Sequence, residues 1–166
     1  MNIHPIVVHF PIALLTLYSV VELIKSKNIV LKYNLFYSKA LLLITGTVGG
    51  YFALQTGDIA SHLLKSRSSI LRFHEMFAQM SIMLYSFLSL GYILKLIEPY
   101  LEKRNFKYIE AVRVVTTIIL SPIVSISVAI IALTTLSITG GLGGILVYGP
   151  NADFVTKILY SIFNIQ

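Results

Sequence analysis

The chain has 166 residues, 56% of them hydrophobic and only 12% charged, with a mean hydropathy of +0.82 and no cysteine. A water-soluble domain carries about 25% charged residues, so the composition points to one integral membrane domain. The missing thiols exclude disulfides, thiolate zinc or iron–sulfur sites and covalent haem attachment through Cys-x-x-Cys-His. The formal charge of +6 lies in short loops between apolar runs; this pattern sets orientation in a membrane and is not a nucleic-acid face.

The first apolar run, about residues 5–24, opens on His4-Pro5-Ile6-Val7-Val8-His9-Phe10-Pro11, and Glu22 is its only ionisable residue besides His9. Twenty residues at ~1.5 Å each cross a hydrocarbon core. With no basic leader or small-residue cleavage site, this run is expected to be a retained span rather than a signal peptide. A polar turn with Lys25, Lys27 and Lys32 leads to a second span over about 36–56, closed by Gly57-Asp58. Residues 61–72 read as a loop or short surface helix carrying Lys65, Arg67 and Arg72, and a third span follows over about 72–97. The fourth is predicted over about 111–139, kinked at Pro122 and loosened by Gly140, Gly141, Gly143 and Gly144. In the tail, 151–166, apolar residues at 154, 155, 158, 159, 162 and 163 form a helical stripe suited to the membrane surface. The predicted fold is all-α: an integral membrane four-helix bundle over 1–150 with a C-terminal interfacial helix.

Orientation follows from the basic residues. The turns after spans one and three hold Lys25, Lys27, Lys32, Lys39, Lys95, Lys103, Arg104, Lys107 and Arg113, against Lys65, Arg67, Arg72 and Lys157 at the other end. Positive charge stays in the cytoplasm, which predicts a multi-pass protein of the cell membrane with both termini outside. Four passes then bring all four histidines, His4, His9, His62 and His74, to the outer end.

A titratable imidazole inside a span is costly in lipid and is expected to face the interior with a partner. By depth, His9 and His74 form the most economical buried pair. On helix two, Gly46, Gly50 and Ala53 form a small-residue stripe that would give a flat ligand clearance, although such stripes more often mark close helix contact. Haem b held by His9 and His74 as axial ligands to the iron fits this arrangement, with His4 and His62 as a possible second site. Met76, Met80 and Met83 point away from His74 and read as packing residues. No catalytic nucleophile–base pair stands out.

These features, His4 to Leu14 opening helix one, Thr56-Gly57-Asp58, His74-Glu75 and Gly143-Gly144-Ile145-Leu146-Val147-Tyr148-Gly149, resemble a family of small prokaryotic membrane proteins labelled domain of unknown function 2231. The resemblance spans most of the chain and implies a four-helix protein with suspected haem binding or a place near respiratory electron transport. Members often have a further histidine near the last glycine-rich segment, where this chain has Tyr148-Gly149-Pro150-Asn151. The expected function is a haem b-binding electron-transfer subunit within or beside a respiratory complex, rather than a stand-alone enzyme. Its expected partners are the lipid bilayer, other membrane subunits and quinol, with no nucleic acid. The alternative is a cofactor-free accessory subunit. A transporter is disfavoured by the lack of buried carboxylates or broken helix pairs in the spans.

Overall fold

The computed structural model describes residues 4–24, 35–62 and 68–163. Six helices and no strand occur among them: α1 His4–Leu23, α2 Phe36–His62, α3 Ser69–Lys103, α4 Ile109–Ile119, α5 Pro122–Tyr148 and α6 Phe154–Ile162. Helices α1, α2, α3 and α5 are long and apolar enough to cross a membrane, which makes this a multi-pass integral membrane protein.

The fourth span differs from the sequence expectation. Pro122 begins a helix instead of kinking one. Its ring removes a backbone donor and forces Ser121 into an extended conformation (φ −60°, ψ 141°), so the chain breaks there and Pro122 takes the first helical position. The residues before the break form α4, whose 11 residues are too short to span. Arg113 ties α4 to the end of α3, reaching Glu98 (3.2 Å) and Glu102 (2.6 Å) besides Glu110 in its own helix (2.7 Å). These carboxylates, Glu102 foremost, raise the guanidinium's already high pKa and hold it charged.

Glycines 140 to 144 do not interrupt α5 either. A Cβ at Gly141 would stand 2.3 Å from Leu159 Cδ1 of α6, and one at Gly143 would stand 3.3 Å from the His74 ring. These two glycines are sites of close approach inside a continuous helix. The helix ends at Gly149, whose φ of +87° suits a residue without a side chain.

The spanning helices form a ring in the order α1, α2, α3, α5, with α1 packed on α2 and α5, and α3 packed on α2 and α5. Helices α1 and α3 therefore stand at opposite corners. Leu15, Tyr18, Leu43, Tyr85, Leu88, Ala129 and Ala132 fill the axis. The helix α6, begun by a capping box between Asp153 and Thr156, folds back at the end where α1 and α3 begin. Leu159 packs on α5, and Phe163 lies 4.9 and 5.6 Å from the rings of Phe73 and Phe77. Phe154, Val155, Ile158 and Ile162 remain exposed along the rest of α6, an apolar surface suited to the interfacial position expected of the tail.

Close contact between α3 and α4 rests on Gly91, where a Cβ would come within 2.5 Å of Ile119 Cγ2 and 3.1 Å of its Cβ. The stem of a β-branched side chain cannot swing aside. Gly91→Ala is expected to cost ~1–3 kcal/mol, read as a lowered unfolding midpoint in detergent. Gly140→Ala, with nothing within 4 Å, should be neutral or stabilising by a few tenths of a kcal/mol to about 1 kcal/mol.

Candidate functional site

Two polar clusters stand out in the bundle, one at each end. At the end where α1 and α3 begin, His4 and His74 carry the first. The threonine hydroxyl of Thr56 donates its proton to the Ala53 carbonyl (3.0 Å), so towards the His4 ring it acts as the acceptor, and His4 Nδ1–H donates to it at 3.0 Å. The His74 Nδ1–H donates to the Thr139 carbonyl at 2.9 Å, an oxygen that can only accept. In both neutral rings the basic electron pair therefore resides on Nε2. The His4 ring packs on Gly57 of α2, where a Cβ would stand 3.0 Å from Cε1, and the His74 ring packs on Gly143 of α5. The two imidazoles come from diagonal helices at the same end of the bundle.

His9 is not part of this cluster. Its ring is exposed, and Nδ1 donates to the Pro5 carbonyl one turn back. The physical reason is helical phase. The buried stripe of α1 runs through Pro11, Leu15, Tyr18, Ser19 and Glu22. At 100° per residue His9 stands about 200° from Pro11, whereas His4, seven residues before Pro11, falls within about 20° of it. Depth had suggested His9, but phase selects His4. The side chain of His62 lies outside the described residues.

The stripe on α2 has a different use from the clearance expected of it. A Cβ at Gly46 would stand 2.8 Å from Leu15 Cδ2, and one at Gly50 would stand 2.2 Å from Ile82 Cδ1. Side chains of α1 and α3 fill these positions, so the stripe makes close helix contacts. Ala53 contributes its carbonyl to the Thr56 hydroxyl. Met76, Met80 and Met83 are exposed, on the face away from His74.

The second cluster was not anticipated as a site. Glu22, in the last turn of α1 and 8% exposed, accepts hydrogen bonds from Ser125 of α5 (2.6 Å to Oε1) and from the Tyr92 hydroxyl of α3 (3.3 Å to Oε2). Lys39 of α2 places Nζ 3.0 Å from Oε2. One carboxylate thus joins all four spanning helices, and its charge is matched by one ammonium. Beneath it, the Tyr18 ring meets Tyr92 and Tyr85 edge-on, with centroids 6.1 and 6.3 Å away, and Tyr85 shares a 2.8 Å hydrogen bond with Ser19. The Tyr18 hydroxyl is fully buried without a hydrogen-bond partner of ordinary geometry among the described residues. The cluster opens into a cleft of about 390 Å³ at the bundle end. In the sequence, the phase of Glu22 with Leu15 and Tyr18 was the available signal.

A ring of four membrane-crossing helices with polar clusters at both ends defines an integral membrane four-helix bundle. Residues 1–153 match the family described as predicted membrane protein (DUF2231), and the chain belongs to that family. No curated protein and no solved structure matches it.

Proposed function

We propose that this protein is a haem b-binding membrane subunit for electron transfer, within or beside a respiratory complex, with His4 and His74 as the axial ligands. The anchored imidazole pair carries the reading. Each ring gives its Nδ1–H to a fixed acceptor, the support that holds iron- and zinc-ligating histidines in the right tautomer and orientation. A six-coordinate haem takes two protein imidazoles, whereas zinc takes three or four protein ligands. Among the described residues no group of three or more His, Asp or Glu side chains is placed to hold a metal ion. Coming from two different helices at one end of the bundle, His4 and His74 would together hold the haem.

Bound there, haem b supplies a one-electron iron couple close to one membrane surface. The chain's own residues supply position and support: Thr56 and the Thr139 carbonyl orient the rings, and Gly57 and Gly143 keep side chains off them. The reading replaces His9 with His4 and assigns no role to the filled Gly46 and Gly50 positions. That filling favours a second reading, a cofactor-free accessory subunit whose histidines are structural hydrogen-bonding residues. The difference spectrum of purified protein separates the two, since only the first requires the bands of a low-spin b haem.

The basic asymmetry supports an orientation with the histidine end and both termini outside the cytoplasm. A periplasm-dependent reporter such as alkaline phosphatase, fused after Gln166, is expected to be active. A fusion after Arg104 should be inactive. The reverse pattern overturns this orientation.

A further inference from the structure

The cleft at the Glu22 end has features of a ligand site. Its volume of about 390 Å³ falls within the range of small-molecule pockets. Glu22, Lys39, Tyr92 and Ser125 line it on the polar side, and Phe36, Leu120 and Ile126 are among its apolar walls. The rim is apolar as well: Ile24 is partly exposed and the neighbouring Ile123 is 82% exposed, so a ligand can arrive from the bilayer. Glu22 and Lys39 cancel in charge, which leaves no excess charge to attract an anionic or cationic head group. The polar wall does combine acceptors, the Glu22 carboxylate and the hydroxyl oxygens of Tyr92 and Ser125, with the remaining N–H donors of the Lys39 ammonium. Behind it, the buried Tyr18 ring meets Tyr92 edge-on.

We infer that this cleft binds the head group of a membrane-soluble quinol or quinone, a neutral ring that both donates and accepts hydrogen bonds and carries an apolar tail. Hydroxyls of the reduced ring donate to Glu22 or to the Tyr92 and Ser125 hydroxyl oxygens, and a carbonyl of the oxidised ring accepts from the Lys39 ammonium, which has N–H donors beyond the one turned to Glu22. The binding site itself is independent of the histidine cluster; it rests on the electron-transfer reading only for why such a ligand would be held.

The experiment is photo-crosslinking of the full chain in lipid nanodiscs with an azido-ubiquinone analogue, the labelled peptides being mapped by mass spectrometry. Labelling is expected around residues 36–39 and 120–126 and should be competed by decyl-ubiquinone but not by decylbenzene, which lacks the polar atoms. Tyr92→Phe should weaken competition by roughly 10-fold through the lost hydroxyl. Ile126→Trp, which fills the cleft from its apolar wall and leaves the polar quartet intact, should remove the competable labelling. His74→Ala should leave labelling unchanged, so loss of the haem spectrum and loss of quinone labelling are separately observable. Labelling that decyl-ubiquinone does not compete, that maps elsewhere, or that survives unchanged in both cleft variants overturns the inference.

Discussion

A His74→Ala variant, purified from cells supplied with haem precursor, is expected to lose the low-spin b spectrum completely, and His4→Ala to do the same. In the haem reading, either change would leave the iron with one protein imidazole. His9→Ala is expected to keep the spectrum, because the His9 ring is exposed and bonds its own helix at Pro5. Thr56→Val tests the support of the ligand. It removes the acceptor of the His4 Nδ1–H without touching the ring, and a lost partner of this kind weakens metal affinity by ~10–100-fold. Haem titration read by absorbance would show a weaker midpoint in Thr56→Val with the same band shape. A spectrum that survives His4→Ala but vanishes in His9→Ala would return the ligand role to His9.

The second large effect concerns stability. Glu22→Gln leaves the Lys39 ammonium in a mostly buried position (15% side-chain exposure) without its counter-charge. Breaking one half of a buried ion pair costs ~3–5 kcal/mol, and here the lost carboxylate also bonds α3 and α5. Unfolding of the variant in mixed micelles should shift to markedly lower denaturant. The double variant Glu22→Gln, Lys39→Met carries no buried charge at this position and is expected to recover much of the loss, since the two substitutions couple through direct contact. Equal stability of Glu22→Gln and the native chain would show that the ion pair holds nothing together.

The four spans were legible because length and hydropathy alone decide whether a helix is long and apolar enough to cross a bilayer. The α4–α5 break was marked in the sequence by Pro122, but reading it as a kink assumed that tertiary packing would carry the helix through; the donor missing at Pro122 and the extended Ser121 decided otherwise. Propensity alone reads the glycines of α5 as breakers, whereas Gly141 and Gly143 lie inside a continuous helix where Leu159 and His74 pack closely on it. At the end where α1 and α3 begin, depth favours His9, whereas helical phase turns the exposed His9 ring away from the buried face of α1. The stripe through Leu15, Tyr18 and Glu22 carried the information that selects His4. The same stripe pointed to Glu22. Its partners Lys39, Tyr92 and Ser125 lie on three other helices, and no local pattern in one chain segment brings them together.

The most direct test of the haem reading is the reduced-minus-oxidised spectrum of the native protein, purified in mild detergent under haem-replete conditions, with haem counted as its pyridine complex. The expected result is the sharp bands of a low-spin bis-imidazole b haem at about one per chain, lost in the His4→Ala, His74→Ala double variant. A colourless native protein, or a double variant with the native spectrum, contradicts it.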